Sequence, residues 1–107
     1  MTFGKLITAA RKRMGLSQKQ LASRITKEDG EPISPQYLND IERDRRNPPS
    51  PLLIEKFAKE LEISEDRLSA AAGTLPLDLQ RQVAEAHPDK VVKAFKAFRK
   101  TLEQDKK

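Results

Sequence analysis

The densest run of chemically useful side chains is Ser34-Pro35-Gln36-Tyr37-Leu38-Asn39-Asp40-Ile41-Glu42-Arg43. Its start is explicit. Ser34 can cap a helix, and Pro35 can fill the first turn, where a missing N–H costs nothing. Leu38 and Ile41 stand three apart and form a narrow inward stripe. Gln36, Tyr37, Asn39, Asp40 and Arg43 are then left facing outward. Amides on an exposed helical face suit the reading of base edges in a DNA major groove, where Asn or Gln pairs bidentately with adenine N6 and N7. Gln36 and Asn39 are the first choices for that role. Tyr37 suits a thymine methyl group, a phosphate, or packing on its own domain. Asp40 suits a cytosine amine, repulsion of wrong sites, or an internal pair with a nearby cation. The expectation is a recognition helix over 35–43.

A basic, proline-stiffened connector follows, Asp44-Arg45-Arg46-Asn47-Pro48-Pro49. Arg43, Arg45, Arg46 and Asn47 are placed to reach phosphates flanking the groove. Such contacts supply affinity and register but carry no sequence information.

Other chemistries find little support. There is no cysteine, so disulfides, thiol catalysis and zinc-finger ligation are excluded. The single histidine, His87, stands beside Pro88 and Asp89 in an expected turn and has no second soft ligand. Glu28/Asp29 and Glu65/Asp66 adjoin a loop and a helix start without a glycosidase or metal signature. No glycine-rich phosphate loop is present. The expectation is a non-enzyme without cofactor or metal.

The 107 residues fit one small domain plus an appended arm. With 36% apolar and 5% aromatic residues, the core is thin, and dimerisation would help stability. The net charge is +5, which suits a polyanionic partner. Residues 1–73 hold 13 Lys/Arg against 11 Asp/Glu, and residues 74–107 hold 8 against 5. Total charge therefore does not locate a binding surface. No apolar run is long enough to span a membrane, and the N-terminus lacks a signal-peptide core, so the expected location is cytoplasmic.

The helices that must position the focal stretch can be read in turn. Thr2 caps a first helix to about Met14, with Phe3, Leu6, Ile7, Ala10 and Met14 on one face and Gly15 beyond its end. Ser17 and Gln20 fit a capping box for a short second helix that buries Leu21, Ala22 and Ile25. Thr26 to Pro32 is a polar loop whose acidic residues argue against contact with phosphates. Ser50-Pro51 repeats the cap-then-proline start for a fourth helix carrying Leu52, Leu53, Ile54, Phe57, Ala58 and Leu61. Ser64 caps a fifth, which ends at Gly73. Leu77, Leu79, Val83 and Ala86 suggest a sixth. Pro88 opens a last helix whose Val91, Val92, Phe95, Phe98 and Leu102 share a stripe. Residues 104–107 are expected to fray.

Taken together, a helix ending in Gly15, then Leu16-Ser17-Gln18-Lys19-Gln20-Leu21-Ala22, then the Tyr37-Leu38, Ile41-Glu42-Arg43 and Arg46-Asn47-Pro48 elements, resemble the Cro/C1-type (XRE-type) helix-turn-helix family of bacterial and phage transcriptional regulators. The resemblance covers roughly residues 3–70. It implies an all-α, five-helix, lambda-repressor-like domain over 1–73, with a C-terminal helical arm over 74–107. It also implies that Gln18 and the N–H groups around it hold a DNA phosphate, a role that a helix N-terminus favours physically. It further implies that Arg11 and Glu42 form a partly buried ion pair tying the first helix to the recognition helix. Two features depart from the family pattern. The turn between the second and third helices is longer, and Asp44 stands where a glycine is frequent.

The expected function is a sequence-specific, dimeric transcriptional repressor of double-stranded DNA. Its DNA-binding residues are Gln18, Ser34, Gln36, Tyr37, Asn39, Arg43, Arg45, Arg46 and Asn47. Val91, Phe95, Phe98 and Leu102 form the expected dimer seam, with packing of the arm onto its own domain as the other option. The alternative function is a protein-interaction module, such as an antitoxin, that binds a protein partner through its arm and DNA secondarily.

Overall fold

The structure, a computed structural model, describes residues 1–104; of the tail expected to fray at 104–107, Gln104 ends the last helix and 105–107 lie outside the described residues. Among the described residues seven helices follow one another: α1 (Phe3–Arg13), α2 (Gln18–Arg24), α3 (Pro35–Glu42), α4 (Pro51–Leu61), α5 (Glu65–Ala72), α6 (Leu77–Glu85) and α7 (Pro88–Gln104). Five of the starts follow directly from the residue before them. Thr2, Ser17, Ser34, Ser50 and Ser64 each accept a backbone N–H with the side chain, and Ser17 and Gln20 complete a capping box. Each cap satisfies a donor that the helix cannot.

The chain divides into two compact units, Met1–Leu77 and Asp78–Lys107. In the first, α1 packs on α3, α4 and α5, while α2 packs on α3 and α4 on α5. Phe3, Ile7, Leu21, Ile25, Ile33, Leu38, Ile41, Ile54, Phe57, Leu61 and Leu68 fill the core. Leu6, Met14, Tyr37 and Leu53 are partly buried against it. Ile7 and Leu38 are both fully enclosed, so α1 and α3 are joined across the same apolar centre.

The residues between α2 and α3 are not an open loop. Thr26 and Pro32 form an antiparallel bridge. Ile33 N–H donates to the Ile25 carbonyl at 2.9 Å, and Lys27 N–H donates to that of Glu31 at 2.8 Å. Gly30 takes φ +86° at the tip, a left-handed conformation that glycine adopts without steric cost. From α4, Lys56 Nζ donates to the Thr26 carbonyl at 2.6 Å and to its hydroxyl at 3.2 Å. The polar composition showed a loop but not its internal pairing, because the period-2 signal spans too few residues.

The second unit consists of α7 and most of α6. Leu79, Val83, Val91 and Ala94 line a groove between these two helices. His87 precedes α7, and its Nδ1 accepts the Asp89 N–H at 3.1 Å, so the histidine caps the helix. No residue of α6 or α7 is fully buried.

A candidate nucleic-acid interface

Glu42, the last residue of α3, organises the interface from behind. It is buried although charged. Arg11 of α1 reaches it with two bonds, Nε to Oε2 at 2.7 Å and Nη2 to Oε1 at 2.9 Å. Such a fork fits a planar guanidinium. Thr8 Oγ1 donates to Oε1 at 3.1 Å, and so does Gln18 Nε2. Arg11 Nη1 also donates to the Leu16 carbonyl at 2.9 Å, just before α2. One carboxylate therefore ties together α1, the start of α2 and the end of α3. Burial works to raise the Glu42 pKa, but the bonds from Arg11, Gln18 and Thr8, with the Arg11 charge, outweigh it and hold the carboxyl below its ordinary range.

Close approach of α1 and α3 depends on a residue absent from the candidate set. A Cβ on Gly4 would stand 2.5 Å from the backbone oxygens of both Ile41 and Glu42. Asp44 completes the junction. It adopts φ +56°, a left-handed conformation that Asp tolerates better than most residues. Its carboxylate also accepts from Thr2 Oγ1 at 2.6 Å and from Gly4 N–H at 3.0 Å. Asp44 thus supplies the turn after α3 and a cap for α1 at once. The frequent family glycine could supply only the turn.

The outward side of α3 is a connected polar surface. Gln36 is exposed, with Nε2 donating to Asp40 Oδ1 at 3.0 Å. Asn39 is half-buried and accepts from Gln18 Nε2 at 3.2 Å. The Gln18 amide nitrogen is thus shared between Asn39 and Glu42, and Gln18 itself stands at the first turn of α2. Ser34 Oγ accepts the Tyr37 N–H at 3.0 Å, so its side chain is first of all a cap. Tyr37 leans on the core, and its ring lies 5.2 Å from the Arg46 guanidinium carbon, within range of cation–π attraction. Burial raises the Tyr37 pKa against the lowering pull of Arg46, so the phenol stays protonated and can donate. Arg43, Arg45, Arg46 and Asn47 are all exposed around the end of α3.

Lys5, Thr8 and Lys12 of α1 line a shallow cleft with Gln18, Asn39 and Arg43. Lys5 and Lys12 were not among the expected contacts. Their spacing with Thr8, three and then four residues, would have marked them as one helical face. Among the described residues, no cluster of His, Cys, Asp and Glu is arranged to hold a metal ion, and no helix is long and apolar enough to cross a membrane.

The helix-turn-helix family model matches residues 7–68, the stretch that holds α2, α3 and their supporting helices. The chain belongs to this family. It is also 37% identical over 106 residues to the immunity repressor protein of Bacillus phage phi105, covering 97% of this chain and 67% of that protein. Among solved structures it resembles SinR, described as the master regulator for biofilm formation, in complex with DNA. There the TM-score is 0.53 at 31% identity, over 63% of this chain and 97% of that one. A SinR/SinI protein complex also matches, with TM-score 0.54 at 26% identity, over 97% of this chain and all of that one. The all-helical fold and the Cro/C1-type membership expected from the residues are those found.

Proposed function

We propose that this helix-turn-helix chain is a transcriptional repressor that binds double-stranded DNA in a sequence-specific manner, with α3 in the major groove. The observation that carries the reading is the outward face of α3, where Gln36 and Asn39 are presented on a helix locked from behind by Glu42 and Arg11. A rigid element is what base readout requires, because a bidentate amide contact tolerates little displacement. In this reading Gln36 and Asn39 meet base edges. Tyr37 and the cap region at Ser34 lie against the groove wall. Arg43, Arg45, Arg46 and Asn47 meet phosphates, and the first turn of α2 at Gln18 offers N–H groups to a further phosphate. The likeness to a phage immunity repressor and to a DNA-bound regulator supports repression by occupancy.

The reading extends to a homodimer. Residues 1–73 act as the DNA-binding domain and 74–107 as the arm. On α7, Phe95, Phe98 and Leu102 are exposed in register with the half-buried Val91, an apolar stripe that a second copy would cover. Two recognition helices about 34 Å apart would then meet successive half-sites on one face of DNA. A second reading has one specific support: a matching structure is a complex of SinR with a different protein, SinI. In that reading the same stripe receives a protein partner, and repression is relieved or redirected by it.

A gel-shift titration of genomic fragments at stepped salt tests DNA reading. The expected result is one or a few fragments bound at least about a thousandfold more tightly than bulk DNA, with affinity falling as salt rises. Equal binding to every fragment, or no binding at low salt, refutes it.

A further inference from the structure

Asp40 sits at the centre of the exposed face of α3. A carboxylate is an unexpected tenant on a surface that must approach phosphates. Its Oδ1 accepts from Gln36 Nε2 at 3.0 Å, and its Oδ2 lies 3.7 Å from Arg46 Nε. Its backbone carbonyl accepts the Arg45 N–H at 2.9 Å. The Asp40 side chain is 20% exposed against 57% for Arg46, so the carboxylate lies beneath the groups that it holds.

The consequence concerns the Gln36 amide. A glutamine amide can flip, exchanging its donor and acceptor sides, and a free one samples both orders. A carboxylate accepts only. With Asp40 beneath it, Gln36 must turn its nitrogen inward, because the flipped amide would set oxygen against oxygen. One N–H is then engaged, and the other stands beside Oε1. This leaves one acceptor and one donor side by side in a fixed order, the complement of adenine N6 and N7. Guanine shows two acceptors at N7 and O6 and asks for two donors, which the tethered amide no longer has. The Asp40 charge adds repulsion against those same acceptors.

We infer that Asp40 is a positioning residue that makes Gln36 selective for adenine, while restraining Arg46 in the free chain. The inference rests on the reading of α3 as the recognition helix.

The test is selection of preferred sites from a pool of random duplexes by the full chain and by Asp40→Ala, Asp40→Asn, Gln36→Ala and the Asp40→Ala/Gln36→Ala pair, each checked by thermal melting. The wild-type chain is expected to select adenine at one position per half-site. Asp40→Ala should lower that preference about tenfold, the size of one bidentate contact. It should at the same time bind unrelated duplexes more tightly, since a negative charge is gone and Arg46 is free. Asp40→Asn offers Gln36 a donor as well as an acceptor, so the amide can flip and the adenine preference should fall as in Asp40→Ala. Gln36→Ala should lose preference at the same position, and adding Asp40→Ala should remove nothing more there.

Retention of the preference in Asp40→Ala would overturn the inference. So would loss at a position that Gln36→Ala leaves untouched, or uniform weakening at all positions with a lowered melting temperature. A wild-type chain that selects no site overturns the DNA reading itself, and this inference falls with it.

Discussion

Glu42 shows how much of a binding surface lies behind it. The carboxylate never needs to touch DNA, yet it takes bonds from Thr8, Arg11 and Gln18 and thereby sets where α3 stands. Glu42→Gln leaves Arg11 without a charged partner in a largely buried site, and we expect a loss of about 3 kcal/mol, read by denaturant unfolding. The pair also imparts a pH dependence of definite sign. The folded pKa of Glu42 lies below its ordinary value of 4.5, so the stabilisation is fully present above about that pH. It is lost as pH falls through the lowered folded value, where the carboxylate must protonate. The melting temperature of the wild-type chain should therefore fall more steeply in this acid window than that of Glu42→Gln. Parallel curves would contradict the assignment. The pair was foreseen only through the family resemblance, since residues thirty-one apart carry no local signal of contact. Gly4 could not be foreseen at all, because its necessity lies in the carbonyls of another helix. Gly4→Ala should separate α1 from α3 and cost about 1–3 kcal/mol through overpacking, with the melting temperature as readout.

At the scale of elements, helix starts were the most legible feature. Four Ser residues and one Thr announce five helices, and proline at the first turn marks two of these. The reason is that capping is chemistry between near neighbours in sequence. The apolar faces of α1 and α4 were legible for the same reason of local period. What stayed hidden was the bridge at Thr26 and Pro32, whose anchor Lys56 is thirty residues away. That bridge brings Ile25 and Ile33 into the core, so the extra residues leave both ends of the turn fixed. Lys56→Ala should remove two charge-assisted bonds, lower stability by about 1.5–3 kcal/mol, and speed amide exchange at Ile33 more than at Leu38. Equal acceleration at both amides would mean that the bridge does not depend on Lys56.

For the whole molecule, the chain divides into an N-terminal and a C-terminal unit with different surfaces. The first carries the polar face that suits DNA, and the second carries an exposed apolar stripe on α7. The two compact units part at Leu77/Asp78, within the first turn of α6. Sedimentation of the full chain against residues 1–77 tests the arm. The expected outcome is a dimer and a monomer; a dimer in both would place the seam elsewhere.

The central claim is that the face of α3 carrying Gln36 and Asn39 reads bases. The most direct measurement is the ratio of affinities for a selected site and a scrambled duplex, taken for the wild-type chain and for Gln36→Ala/Asn39→Ala at one fixed salt concentration. Two lost bidentate contacts should reduce the ratio about a hundredfold or more, while scrambled DNA stays bound within a fewfold through the phosphate contacts. A ratio unchanged by the double substitution, at unchanged folded stability, would contradict the account.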